Sequence, residues 1–237
     1  MTALFISDLH LSPERPAITR AFFDFLDDKA ATATDLYILG DLVEAWIGDD
    51  DPSDLSRRLV DHLRRFSDNG HDLYFQHGNR DFLIGKRFAK ESGATLLGDY
   101  HLLEDGDNAV LLCHGDTLCT DDRDYQRFRG RVRNPISKWL LSHLPLSKRQ
   151  AIAQRWRGKS MEANTNKASN IMDVSTETVD KVMTRFHCDL LIHGHTHRPG
   201  IHNLGEKRRI VLGDWDSQGW YVQLHQGSAD LLSFPIR

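Results

Sequence analysis

The sequence predicts an α/β sandwich flanked by helices, with an inserted helical cap. Six short apolar runs typical of buried strands are spread along its 237 residues. They are Leu4–Ile6, Leu36–Leu39, Leu73–Phe75, Val110–Cys113, Leu190–Ile192 and Ile210–Leu212. Stretches of helical period separate the first three runs, and this alternation of strand and helix is typical of α/β folds.

The first and last elements are predicted from local signals. Apolar side chains at helical spacing, such as Phe22 and Leu26, follow the first strand, and a second helix is expected between the capping residue Ser53 and Gly70. After the last apolar run the pattern changes to period two around a turn at Gln226. The chain is therefore expected to close with an antiparallel hairpin.

One catalytic domain is expected, because the length suits a single core with insertions. Residues 1–123 and 186–237 are predicted to form that core, and residues 124–185 the inserted cap. The inserted stretch has no run as apolar as the predicted strands, so we expect it to be helical.

The predicted cap is strongly basic. Residues 123–167 carry 12 Lys or Arg against 2 Asp or Glu, a local charge of +10 in a chain whose formal charge is −4. Helix breaks are expected at Pro135, Pro145 and Gly158.

A cytoplasmic location is expected from what the sequence lacks. The first residues reach Asp8 without a basic region or a long apolar segment, so no secretory leader is expected. No apolar run approaches the roughly 18 residues of a membrane span. The 3 cysteines lack paired spacing and suit a reducing compartment. Membrane contact is therefore expected to be peripheral.

Five polar motifs come directly after five of the predicted strands. They are Asp8-Leu9-His10, Gly40-Asp41, Gly78-Asn79-Arg80-Asp81, His114-Gly115-Asp116 and His193-Gly194-His195-Thr196-His197. Each motif alone is most often an ordinary turn. Loops beyond the carboxyl ends of strands can, however, gather distant side chains into one crevice. Together the motifs therefore indicate one site.

The donor types of these motifs predict a dinuclear metal site. Carboxylate, imidazole and amide donors without thiolate suit Mn²⁺, Fe²⁺ or Zn²⁺. The two-residue spacing within Asp8/His10 and within His195/His197 places both side chains of a pair on one side of an extended segment. Two cations about 3.5–4 Å apart need a shared anionic ligand, and Asp41 stands alone after its strand. We assign Asp41 as the bridging ligand.

The motif set resembles the calcineurin-like metallophosphoesterases, whose pattern D-x-H, G-D, G-N-[HR]-[DE], H and G-H-x-H is matched between residues 8 and 197. Arg80 replaces the His that most of this superfamily has after Asn. Residues 78–82, together with residues 44–51, 114–122 and 192–199, resemble the UDP-2,3-diacylglucosamine hydrolase family. The resemblance implies a metallophosphoesterase-type β-sandwich. It also implies pyrophosphate hydrolysis by metal-activated water, giving UMP and 2,3-diacylglucosamine 1-phosphate (lipid X) in lipid A biosynthesis.

The same resemblance implies two Mn²⁺ per chain, or other divalent ions, and roles for individual residues. One metal would be held by Asp8, His10, Asp41 and His197, and the other by Asp41, Asn79, His114 and His195. Catalytic roles would fall to Asn79, Arg80 and His195. Substrate contacts would come from Asn79, Arg80, Asp122, Ser160, Asn164, Lys167 and His195. The forked guanidinium of Arg80 matches the geometry of phosphate oxygens and would stabilise the transition state. The alternative is that Arg80 only forms a surface ion pair.

Apolar side chains lie among the basic residues of the predicted cap. They are Trp139, Leu140, Leu141, Leu144, Leu146, Ile152 and Trp156. Such a segment is typical either of a lipid-binding surface or of a small core with a solvated face. The resemblance favours acyl-chain binding, with a glycolipid nucleotide as substrate and the anionic cytoplasmic face of the inner membrane as a contact. No nucleic-acid or obligate protein partner is expected.

Three other functions fit parts of the pattern. The motifs also suit a metallophosphoesterase that acts on another phosphodiester or nucleotide, and the basic segment suits a nuclease. Stacking aromatics are sparse there, however, which argues against nucleic acid. A non-catalytic scaffold is ranked last, because every expected ligand position is occupied.

Overall fold

The computed structural model describes residues 2–105, 108–166 and 173–237. Its strands form two sheets. The order in the first sheet is Ser228–Pro235 (β11), Gln218–His225 (β10), Thr2–Ile6 (β1), Asp35–Ile38 (β2), Asp72–Phe75 (β3) and Thr95–Leu96 (β4). The order in the second is His101–Asp105 (β5), Asn108–Cys113 (β6), Leu190–His193 (β7), Lys207–Val211 (β9) and Gly200–Leu204 (β8).

Seven α-helices are described beside the sheets. They are Pro16–Asp27 (α1), Asp54–Asp68 (α2), Lys86–Ser92 (α3), Arg123–Val132 (α4), Pro135–His143 (α5), Leu146–Asn166 (α6) and Thr176–Arg185 (α7). Short 3-10 helices span Ala30–Thr32 and Asp116–Leu118. No described helix is long and apolar enough to cross a membrane.

The predicted sandwich and its six strands are confirmed. Apolar residues of both sheets, such as Phe5 and Leu112, pack in one buried layer between them. A second layer joins the outer face of the first sheet to α1, α2 and α3. The closing hairpin is also confirmed, because β10 and β11 pair antiparallel from Gln218 to His225. The short or partly exposed strands β4, β5 and β8, and helix α3, were not predicted.

Helix signals located two elements well. Helix α1 starts with Pro16 at its first turn and buries Phe22 and Leu26 on one face. The Ser53 side chain accepts a hydrogen bond from the Ser56 backbone at the start of α2, as expected of a capping residue.

The described part of the stretch between β6 and β7 is largely helical as predicted, but one expected break is wrong. Helices end before Pro135 and Pro145, whereas α6 continues through Gly158. Glycine lowers helix stability by about 1 kcal/mol, yet it keeps its backbone hydrogen bond, unlike proline. The division of the chain at residues 123 and 186 stays a prediction. Helix α7 packs on the second sheet through Val179 and Met183.

Candidate metal centre and active site

The five motifs meet at one edge of the sandwich because their strands run parallel within each sheet. Strands β1, β2 and β3 are parallel neighbours, and β6 is parallel to β7. Backbone hydrogen bonds join the loops beyond them. The Asp8 N–H donates to the Gly40 carbonyl oxygen at 3.1 Å, and the Gly194 N–H donates to the His114 carbonyl oxygen at 2.8 Å. Motifs far apart in the chain thus become neighbours.

The Asp8 carboxylate is fully buried, and only one of its oxygens is satisfied by donors. Oδ2 accepts hydrogen bonds from the Ser7 hydroxyl at 2.6 Å and from the His195 N–H at 2.8 Å. Oδ1 lies 3.4 Å from His197 Nε2 and has no hydrogen-bond partner. Burial alone would raise the pKa of Asp8, but the hydrogen bond and charge of His197 lower it by more. The net pKa of Asp8 is therefore below the ordinary value. An ionised, partly unsatisfied buried carboxylate is suited to bind a cation.

Asp41 lies between two imidazole rings. Its Oδ2 is 4.0 Å from His10 Nε2, and its Oδ1 is 3.8 Å from His114 Nε2. The Arg80 N–H donates to Oδ1 at 2.8 Å and fixes the carboxylate between them. A bridging ligand requires this position, although the bridging role itself stays a prediction.

His114 directs a ring nitrogen at two oxygens. Its Nδ1 donates to the Leu39 carbonyl oxygen at 2.8 Å, because a carbonyl can only accept. Its Nε2 then faces Asn79 Oδ1 at 3.1 Å and Asp41. Burial lowers the pKa of His114, but Asp41 and Asp8 raise it more, and the net pKa is raised. The oxygens of Asn79 and Asp41 that face His114 Nε2 therefore favour a positive charge at this point, as a cation site does.

Two groups of donor atoms lie within 4.8 Å of one another among the described residues: Asp8 with His10 and His197, and Asp8 with Asp41 and His114. The His10 and His197 Nε2 atoms are 3.3 Å apart. These carboxylates and imidazoles, all buried except His197, fit the donor set of a divalent ion. Six of the seven predicted ligand positions are thus joined by short distances between donor atoms.

His195, the seventh predicted ligand, lies beside His114 with ring centroids 5.0 Å apart. Burial and the neighbouring His114 lower the pKa of His195 to about 4. Its ring is therefore neutral near pH 7, as a metal ligand must be.

The backbone of these loops is strained at the donor positions. Among the described residues, five of the seven non-glycine residues with positive φ are predicted ligands: Asp8, His10, Asp41, His195 and His197. Such conformations are costly for non-glycine residues, and they cluster at functional sites. Gly78 is required for a related reason, because a Cβ there would lie 2.1 Å from Asp41 Oδ1.

Glu44 joins the predicted metal ligands, called the donor cluster below, to Arg80 and Arg157. It was not predicted as a site residue. Its carboxylate lies 3.4 Å from His10 Nδ1, 3.1 Å from Arg80 Nη1 and 3.0 Å from Arg157 Nε. Arg80 Nε is buried without a hydrogen-bond partner. Arg80 is therefore paired through one nitrogen, with donor capacity left over. The sequence signal for Glu44 is its place three residues after Asp41 in the same loop.

Asp116, from the fourth motif, belongs to neither donor group and instead anchors α4. Its Oδ2 accepts hydrogen bonds from the Tyr125 hydroxyl at 2.8 Å, Arg129 Nε at 2.7 Å and Arg133 Nη2 at 3.1 Å. Arg133 Nη2 also donates to the Gly78 carbonyl oxygen at 2.7 Å. The arginines were missed because nothing in their sequence spacing distinguishes them from a solvated basic face.

A mostly apolar cavity of about 320 Å³ opens beside the donor cluster. Asn79 and Arg80 line it on the core side. Its apolar walls come from Trp46, Ile47, Phe82, Leu83, Phe128, Leu141, Ile152 and Trp156. Of the predicted apolar cap residues, Leu141, Ile152 and Trp156 line the cavity. The other four do not: Trp139, Leu140, Leu144 and Leu146. Trp139 and Leu140 are 58% and 54% exposed.

The predicted substrate residues are placed unevenly. Asn79, Arg80 and Asp122 line the cavity, and the Asp122 side chain also accepts a hydrogen bond from the Tyr125 N–H at the start of α4. Ser160 and Asn164 lie in α6, where their side chains are outside the described part of the structure, and Lys167 lies outside the described residues. Their roles stay predictions.

The sequence model for calcineurin-like phosphoesterases matches residues 1–199. The chain belongs to this family. Members of the family depend on divalent metal ions, and the donor groups of this phosphoesterase are of the required kind.

Two relatives of this phosphoesterase are described as UDP-2,3-diacylglucosamine hydrolases. The one from Azotobacter vinelandii is 50% identical over 240 residues and covers 100% of both chains. The one from Pseudomonas entomophila is 52% identical over 235 residues and covers 98% of both. The structure of an archaeal phosphodiesterase aligns with a TM-score of 0.50 at 12% identity, covering 99% of this chain and 100% of its own. That structural likeness supports the fold alone.

Proposed function

We propose that this phosphoesterase hydrolyses the pyrophosphate bond of UDP-2,3-diacylglucosamine, giving UMP and 2,3-diacylglucosamine 1-phosphate (lipid X) in lipid A biosynthesis. The observation that carries the proposal is the apolar cavity that opens beside the polar donor cluster, with Asn79 and Arg80 lining it. A substrate that joins acyl chains to a pyrophosphate needs this combination. The names of the full-length relatives support the same substrate.

The proposed site holds two divalent cations, taken as Mn²⁺. Asp8, His10, Asp41 and His197 would hold one, and Asp41, Asn79, His114 and His195 the other. When bound, two such cations lower the pKa of a coordinated water and neutralise phosphoryl oxygens. The unsatisfied Asp8 Oδ1 and the acceptors around His114 Nε2 support this assignment.

The protein side chains bind and orient the phosphates. Arg80 is always protonated, and its guanidinium, which lines the cavity, can bind phosphate oxygens as negative charge increases there. Glu44 contacts both side chains and so keeps the Arg80 guanidinium beside His10. Asn79 and His195 complete the proposed catalytic group, and neutral His195 leaves the local positive charge to the cations and Arg80.

The cavity is proposed to bind the acyl chains. Each buried CH₂ contributes about 0.8 kcal/mol, so an apolar wall stabilises a bound lipid considerably. Trp156 stands between Phe82 and Phe128, with ring centroids 6.5 Å and 5.2 Å away. This aromatic group excludes water from the side of the site where the lipid would lie.

We also propose that the enzyme is cytoplasmic and binds the inner membrane peripherally through α5. Three large apolar side chains on this helix are exposed: Ile136, Trp139 and Leu140, by 69%, 58% and 54%. The surrounding stretch is basic, which favours an anionic lipid surface. Co-sedimentation with anionic and neutral vesicles tests this. Equal binding of wild type and Trp139→Ser/Leu140→Ser would contradict it.

Nucleic acid is a weaker candidate than the basic composition suggests. Arg129 and Arg133 pair with Asp116 and Asp99, and Arg149 pairs with Asp50. These arginines hold the helices to the core, so their charge is partly neutralised and contributes little to polyanion binding.

Product analysis with purified protein, Mn²⁺ and UDP-2,3-diacylglucosamine tests the proposed function. Parallel reactions contain a chelator, soluble phosphodiesters or DNA. We expect UMP to appear only with the lipid substrate and metal. Cleavage of soluble esters or DNA without cleavage of the lipid would leave the family assignment intact and overturn the substrate.

A further inference from the structure

One face of α6 is turned toward the cavity. Arg149, Ile152, Ala153, Trp156 and Arg157 all line it, and their spacing of three and four residues places them on a single helical stripe. Arg149 begins this stripe in the first turn of the helix. Its side chain therefore fixes how α6 is rotated against the core.

Arg149 is the only buried arginine among the described residues, with 4% of its surface exposed. Its Nη1 and Nη2 donate to the two Asp50 carboxylate oxygens at 2.7 and 2.5 Å. Nη1 also donates to the Ile47 carbonyl oxygen at 2.7 Å, and Nε donates to the Leu144 carbonyl oxygen at 2.9 Å. The planar, forked guanidinium suits this arrangement in a way that lysine does not.

The contacts of Arg149 with Ile47 and Asp50 hold residues 44–50 against α6. These residues form a loop that contributes one wall of the cavity through Trp46 and Ile47. The loop approaches so closely that a Cβ on Gly48 would lie 2.0 Å from Arg149 Nη1. Gly48 also has a φ of +140°, which disfavours other residues. The loop backbone is therefore shaped around the guanidinium.

The opposite side of the same loop is fixed independently. Asp49 accepts hydrogen bonds from Trp46 Nε1 at 3.0 Å and from the Gly85 and Phe88 N–H groups at 2.9 and 3.0 Å. Without Arg149, the loop would stay attached to α3, and of its polar contacts with α6 described above only the Glu44–Arg157 ion pair would remain. The two apolar walls of the cavity could then separate, while the donor cluster keeps its own backbone hydrogen bonds.

We propose that Arg149 is a positioning residue that holds loop 44–50 against α6 and thereby sets the shape of the acyl-chain cavity. It acts on lipid recognition and not on the reacting phosphate. The inference rests on the proposed function for the identity of the ligand, but the contact it describes exists independently of turnover.

The test compares Arg149→Met and Arg149→Lys with Arg155→Met, an exposed arginine on the same helix. Steady-state kinetics are measured with long-chain and short-chain UDP-diacylglucosamine. We expect Arg149→Met to raise KM for the long-chain substrate about tenfold, with kcat and the short-chain KM within about threefold of wild type. Arg149→Lys should recover part of the loss, and Arg155→Met should match wild type.

Equal losses with both substrates would mean a merely structural role and would overturn the proposal, as would an unchanged long-chain KM. Binding of a fluorescent long-chain fatty acid provides a readout that needs no turnover. If wild type binds this probe but cleaves no lipid substrate, the proposed function fails, and weaker probe binding by Arg149→Met alone still supports the positioning role. Equal probe binding by wild type and variant overturns it.

Discussion

The donor cluster and the helices beside it are held in place in different ways. Asp8 and Asp41 sit on loops that the two sheets fix through backbone hydrogen bonds. Helices α4 and α5 bury no residue at all, and the described side chains of α6 bury only Arg149. Arginine–carboxylate pairs attach two of these helices, α4 and α6, to the sandwich. The proposed chemistry thus sits on loops fixed by backbone hydrogen bonds, whereas the proposed lipid recognition depends on a few side-chain contacts.

Asp41→Asn should have the largest effect on activity, because it removes the negative charge between His10 and His114. We expect kcat/KM to fall about 1,000-fold or more, since both metal sites are weakened. Bound metal is measured by elemental analysis beside the kinetics, and circular dichroism confirms the fold. Near-normal turnover with two metals bound would contradict the bridging role.

Asp116→Asn probes the second region by removing the buried anion that faces Arg129 and Arg133. Leaving these two mostly buried arginines without this partner should lower the free energy of unfolding by about 3 kcal/mol, measured by urea denaturation. Asp99→Asn is the matched control. Asp99 pairs with the same two arginines but is 49% exposed, so we expect less than about 1 kcal/mol. Equal losses from both variants would show that burial of Asp116 does not matter.

Arg80→Ala tests the boundary between the two regions, because Arg80 lines the cavity and its backbone contacts Asp41. We expect kcat to fall about 100-fold, as for other donors that bind a developing charge. Arg80→Lys should recover only part of the rate, because an ammonium lacks the guanidinium fork. Full activity in either variant would mean that Arg80 only forms its ion pair with Glu44 and does not act on the phosphate.

The sequence predicted the two regions with unequal success for a physical reason. Ligand chemistry restricts the residue types, so Asp8, His10, Asp41 and the histidines stand out even without a structure. The apolar runs likewise located the main strands. The contacts of Arg133, Arg149 and Glu44 were not predicted, because a paired arginine and a solvated arginine look identical in a sequence. Trp139 and Trp156 were grouped together, and only the fold separates the exposed one from the cavity wall.

Those two tryptophans give the smallest and most selective prediction. Trp156→Ala removes an aromatic wall of the cavity, so KM for a long-chain substrate should rise about tenfold while kcat changes little. Trp139→Ala removes an exposed side chain from the same helical region, so KM in detergent solution should not change. Vesicle binding should show the reverse order, with Trp139→Ala weaker and Trp156→Ala unchanged. If both variants changed both measurements equally, the cavity and the exposed face of α5 would have to be one lipid-binding surface instead of two.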